Sequence, residues 1–160
     1  MKKEKTTGMG FAIGFTVAFV GAIALIAVIL IMSNKLRKFK VDMFVLFNEA
    51  DICVGEGVDG QYRISRDNLT ALSAILQSTR GYFTFDKPKT SEEINLKITH
   101  DGEDWNLSIA RAGDNKLKLV LTGERNYEVY VKDNKKFEDI QKCVSGNGYI
   151  AANKPFSGKK

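Results

Sequence analysis

This chain is poor in the side chains that carry most protein chemistry. It has one histidine, two cysteines, two prolines and one tryptophan among 160 residues. A Ser-His-Asp relay would have to use His100 as its base, and no nucleophile motif accompanies it. Two cysteines and one histidine without metal-ligand spacing argue against a structural zinc centre. Charge is missing altogether from Phe11 to Met32 (FAIGFTVAFVGAIALIAVILIM).

What fills that gap is apolar. A helix of this length rises roughly 33 Å, enough to cross a hydrocarbon core of about 30 Å. The run exceeds the apolar core of a cleavable signal peptide, and SNKLRKFK follows it in place of a small-x-small cleavage site. The sequence therefore predicts a short basic tail at 1–10, a transmembrane helix at 11–32 and a basic juxtamembrane connector at 33–40. Within the helix, Gly10 and Gly14 form a G-x-x-x-G pair, which predicts association with a second transmembrane helix, including that of another copy.

The net charge of +5 divides unevenly. Lys2, Lys3 and Lys5 less Glu4 give +2, and Lys35, Arg37, Lys38 and Lys40 give +4. From Val41 onward, 17 basic residues face 18 acidic ones, or −1, and the three parts sum to +5. The excess thus flanks the apolar run, where Lys35, Arg37, Lys38 and Lys40 are expected to meet anionic lipid headgroups. The near-neutral remainder removes the electrostatic footprint of a nucleic-acid binder. Flanking charges are nearly tied across the span, so the choice of side rests on the short charged N-terminus leading straight into it, the layout of an uncleaved signal anchor. That layout predicts a single-pass membrane protein with its C-terminal domain extracytoplasmic.

The expected domain is α+β: an antiparallel β-meander, one internal helix and one C-terminal helix packed on the sheet, over residues 41–144. VDMFVLFN reads as a strand apolar on both faces, followed by strands at Ile52–Val54 and Tyr62–Ile64. SRDNLTALSAILQSTRG reads as a helix, with Ser65 or Asp67 as its cap and Gly81 at a left-handed terminus. Tyr82–Phe85 is strand-like. INLKITH, WNLSIAR, KLKLVLT and NYEVYVK alternate apolar with polar residues, joined by glycine-bearing turns. A helix over Lys135–Val144 follows, then a flexible polar tail at 145–160. This meander-then-helix ending resembles the pleckstrin-homology-like domains of bacterial membrane proteins, which implies a ligand- or headgroup-binding module. The helix at Asp67–Ser78 interrupts that pattern, so no binding residues carry across.

Gly55-Glu56-Gly57-Val58-Asp59-Gly60 spells the G-x-G-x-x-G of dinucleotide-binding loops. That loop must open directly into a helix whose amides meet the phosphates. Here a strand follows, and Glu56 and Asp59 would set negative charge beside a pyrophosphate. GEGVDG is therefore expected to be an acidic turn. HDGEDWN lacks the regular ligand spacing of a calcium loop. Glu103, Asp104 and Asp114 read as solubilising turn residues, and His100 as a solvated one. Cys53 and Cys143 are either a possible disulfide closing a long loop or two buried thiols. Two N-x-S/T sequons, at Asn68 and Asn106, would matter only in a eukaryotic secretory protein. Phe83 and Tyr130, on the wetter side of the sheet, form a possible partner surface.

With no catalytic, cofactor or metal constellation, the sequence points to a non-enzymatic, membrane-anchored interaction or accessory domain. Its expected partner is another membrane or envelope protein. The alternative is a membrane-proximal ligand- or lipid-headgroup-binding module.

Overall fold

The structure, a computed structural model, describes residues 5–57, 60–84 and 87–145. The expected tail beyond Ser145 and the Val58-Asp59 step lie outside these. The elements run α1 (Lys5–Glu49), β1 (Ile52–Gly57), β2 (Gly60–Arg63), α2 (Arg66–Gln77), β3 (Thr90–His100), β4 (Glu103–Ala112), β5 (Lys116–Thr122), β6 (Tyr127–Lys132) and α3 (Lys136–Val144). The chain divides into two units, Met1–Asn34 and Lys35–Lys160. The first is helical over its described residues and is long and apolar enough to cross a membrane.

The second unit is α+β, built on six antiparallel strands in the order β2-β1-β3-β4-β5-β6. Ile94, Leu96 and Ile98 of β3, Trp105, Leu107 and Ile109 of β4, Leu117, Leu119 and Leu121 of β5, and Tyr127, Val129 and Val131 of β6 are all buried. These are the residues that the period-two alternation assigns to one face. They join one core with Phe39, Met43, Leu46 and Phe47 of α1, Leu69, Leu72 and Leu76 of α2, and Phe137, Ile140 and Val144 of α3. The helices thus share one face of the sheet, and the alternate residues Asn95, Lys97, Asn106 and Glu128 stay exposed on the other.

The expected strand at VDMFVLFN is instead the last part of α1, as is the 33–40 connector. Period-two and helical readings both fit a segment this apolar; burial separates them. Phe39, Met43, Leu46, Phe47 and Ala50 are buried at i, i+4, i+7, i+8 and i+11, while Val41 and Phe44 are exposed. Extending an existing helix needs no new nucleus, so each added residue gains a hydrogen bond cheaply. Burying each of these large side chains adds about 1.5–3 kcal/mol.

Two further expectations change. Phe85 of the expected strand lies outside the described residues, and Tyr82–Thr84 forms no ladder; Gly81 makes an isolated bridge to Val131, Tyr82 N–H donates to the Tyr130 carbonyl and Lys132 N–H to the Arg80 carbonyl, both at 2.9 Å. This short segment covers the free edge of β6. Gly81 does not terminate α2 in a left-handed conformation: the helix ends at Gln77 with Ser78 right-handed, φ −77°. A Cβ at Gly81 would lie 2.9 Å from Leu36 Cδ2, so a larger residue there would make the Leu36 side chain on α1 shift. Ser65 caps α2 as expected, its Oγ accepting from Asn68 N–H at 3.3 Å. The HDGED turn places Asp101 and Gly102 both at positive φ, 50° and 81°, the two-residue hairpin geometry that matches strand twist.

The glycine-rich stretch is a hairpin. Gly55 and Gly57 lie in β1, and Gly57 pairs with Gly60 across the turn. Gly55 is buried, and a Cβ there would meet Val144 Cγ1 at 3.0 Å and Tyr62 Cε2 at 3.1 Å. Its role is to let α3 close onto β1.

Candidate functional site

The three helix C-termini leave carbonyls without intrahelical partners. Each is closed by side chains from elsewhere in the chain. No basic residue lies in the last turn of α1. Arg66 Nη1 donates to the Ala50 carbonyl (3.4 Å), Arg63 Nη2 to the Asp51 carbonyl (3.3 Å), and His100 Nδ1 stands 3.3 Å from the Glu49 carbonyl. These groups place positive or donor character where the helix dipole is negative. His100, expected to be solvated, is thereby held half-buried against a helix end. Asn68 Nδ2 donates to the Cys143 carbonyl at the end of α3 (2.9 Å).

Lys40 closes α2. Its Nζ donates to the carbonyls of Gln77 (2.8 Å) and Thr79 (2.7 Å), and Gln77 Nε2 donates back to the Lys40 carbonyl (2.6 Å). The four cations expected to act together at a membrane surface are therefore split: Lys35, Arg37 and Lys38 are exposed, while Lys40 ties two helices together. On a helix Lys40 adjoins the Phe39–Met43 face, so its distinct role was readable only once the segment was known to be helical.

Opposite the core face, α1 presents Arg37, Val41 and Phe44 at i, i+4 and i+7. Val41 is 58% exposed and Phe44 53%. Outside the apolar segment, the other large hydrophobic side chain exposed among the described residues is Phe83. Beside this strip lies an open groove of about 490 Å3 lined by Arg37, Lys38, Val41, Asp42, Arg125 and Tyr127. Its floor is a bonded triad: Tyr127 O–H donates to Asp42 Oδ2 at 2.7 Å, and Arg125 Nη1 reaches Asp42 Oδ1 at 3.2 Å. Burial pushes the Tyr127 hydroxyl above its ordinary range, and its bond to the Asp42 carboxylate adds to the effect. Arg125 is held more basic than usual, first by Tyr127 and then by the Asp42 charge. Asp42 stands 83 residues from Arg125 and 85 from Tyr127, so no local motif announces the triad.

The remaining candidates are dispersed. Cys53 and Cys143 are free thiols and the possible disulfide is not formed: Cys53 is fully buried in β1, whereas Cys143 is half-buried on α3. Burial pushes the Cys53 thiol up to about 12. Tyr130 is half-buried on the outer sheet face, its hydroxyl donating to Glu128 Oε1 at 3.3 Å, and Tyr82 is its backbone partner on the edge segment. Phe83, 43% exposed, follows Tyr82 in the chain. Gly10 lies in α1, and a Cβ at Gly14 would meet no atom within 4 Å. On the core side of β4, Arg111 pairs with Glu92 (2.9 Å) and Glu138 (2.8 Å) and lies over the Phe137 ring, fastening α3 to the sheet.

Comparison with protein-family models, curated proteins and solved structures finds no match to this chain. The likeness to pleckstrin-homology-like domains extends to the succession of meander and helix alone, because α2 and the end of α1 share the helical layer with α3.

Proposed function

We propose that this chain is a single-span membrane protein whose domain lies on the outer face and docks another envelope protein without catalysing a reaction. The observation that carries this reading is the exposed Val41–Phe44 pair. Exposed apolar side chains arranged at helical spacing are the groove-filling pattern of helix-mediated recognition, and they stand on an element whose other face is anchored in the core. The titratable groups of the second unit support the same reading, since Lys40, His100 and Arg111 are engaged with helix ends and cross-element pairs.

The test is photocrosslinking in native membranes, with a crosslinker placed in turn at Val41, Phe44 and Lys118. A partner adduct at the two helix positions, absent from the sheet position, is the expected result. Equal labelling at all three, or none, overturns the docking surface. Protease added to intact cells should digest the domain; protection until lysis would overturn the outer-face assignment.

A further inference from the structure

We propose that the groove between α1 and the β5–β6 turn is a binding site for a phosphate-type anion, held by Lys38 and Arg125. The groove shares Val41 with the docking surface, but the inference rests on its charged lining. Three cations and one carboxylate line the groove, giving a formal +2.

Arg125 is the centre of the argument. It lies on the exposed turn between β5 and β6, with its side chain 65% accessible, where an unrestrained arginine would sample many rotamers. Asp42 prevents that. Its carboxylate, 15% exposed, takes Arg125 Nη1 on one oxygen and the Tyr127 hydroxyl on the other, and α1 holds it rigidly. Arg125 meets Asp42 through Nη1, at 3.2 Å from Oδ1 and 3.4 Å from Oδ2. A guanidinium has five N–H donors in a planar fork, and the fork suits the paired oxygens of a phosphate. With Nη1 held by the carboxylate, the fork has further N–H donors that an anion in the groove can meet. Arg37 and Lys38 supply charge from the helix wall, and Val41 gives the groove an apolar side. Its volume falls within the range of small-molecule sites.

Two sources offer this chemistry: a phospholipid headgroup and a soluble phosphate or phosphate ester. Arg37 and Lys38 come five and six residues after Met32, the sequence position at which basic residues meet anionic headgroups.

The experiment uses the full chain in neutral detergent. Native mass spectrometry would measure retained phosphatidylglycerol and phosphatidylcholine. Amide chemical shifts would follow titration with inorganic phosphate. Phosphatidylglycerol adducts should exceed phosphatidylcholine adducts, and Arg125→Gln should weaken them roughly tenfold, the loss of about one charge-assisted bond. Lys38→Gln should act in the same direction. Lys35→Gln removes an equal charge outside the groove and should change little. Phosphate-induced shifts at Arg125 and Tyr127 without lipid retention would support the site and assign it a soluble ligand. Equal effects of Lys35→Gln and Arg125→Gln would overturn the site in favour of diffuse attraction. Binding of neither probe, or of an acidic peptide alone, would overturn it as well.

Discussion

Helix α1 is one secondary structure living under two regimes. From Gly14 to Ile31 the large side chains are exposed apart from the half-buried Val28: Phe15 is 66% accessible, Phe19 59% and Ile31 69%. From Lys35 to Glu49 the helix sorts its residues, with Phe39, Met43 and Phe47 at zero exposure and Val41 and Phe44 open. A helix uniformly apolar around its circumference suits a lipid solvent, whereas a helix with one apolar stripe suits a protein core. The backbone hydrogen bonding is the same in both parts, so the distinction comes from side-chain pattern alone.

Paired substitutions can break this contrast, and the largest effect is expected in the core. Phe47→Ala should destabilise the second unit by about 3–5 kcal/mol, the usual cost of a buried phenylalanine cavity. Phe15→Ala, a matched truncation in the apolar part, should leave urea unfolding of the domain unchanged. Equal losses for the two would mean that the domain draws stability from the apolar part.

A second pair adds a methyl group. Gly55→Ala should cost about 1–3 kcal/mol, because the new Cβ must displace Val144 and Tyr62. Gly14→Ala meets no neighbour within the chain and should leave the domain melting temperature alone. If Gly14 also mediates helix association, crosslinked dimer yield in membranes should fall with that variant while melting holds.

A third pair separates two lysines two residues apart in sequence. Lys40→Met keeps the aliphatic stem and removes the donor to the Gln77 and Thr79 carbonyls, for an expected loss of about 1–2 kcal/mol. Lys38→Met should stay within about 0.5 kcal/mol, as for other exposed positions. A comparable loss from both in thermal melts would refute the split assigned to the basic cluster.

The smallest effect is in acid. Glu138 is held below the ordinary carboxylate range by a backbone hydrogen bond and by Arg111. A carboxylate with a depressed folded pKa stabilises the fold above its unfolded value and loses that contribution as pH falls through the folded one. The slope of melting temperature against pH below roughly pH 4 should therefore be shallower for Glu138→Gln than for the parent chain.

Much of the fold was legible because strand alternation is local. The buried sets of β3 to β6 follow from period two, and α2 follows from its apolar stripe and Ser65. The stretch at 41–48 misled because nearly every residue there is apolar, and a pattern without polar interruption carries no period. The groove was not legible at all: Asp42, Arg125 and Tyr127 are ordinary in sequence and meet because β6 is packed beside α1. Gly55 was visible as part of a motif, but its reason, the approach of Val144 from α3, lies 89 positions away.

The sequence by itself determined the apolar helix, the meander and which side chains of each strand face inward, since each depends on spacing within one element. Tertiary structure decided that α1 continues into the domain, that Lys40 faces a helix end while its basic neighbours face outward, and that the two thiols stay apart. These outcomes depend on which elements meet, and close packing fixes that only when the whole core assembles.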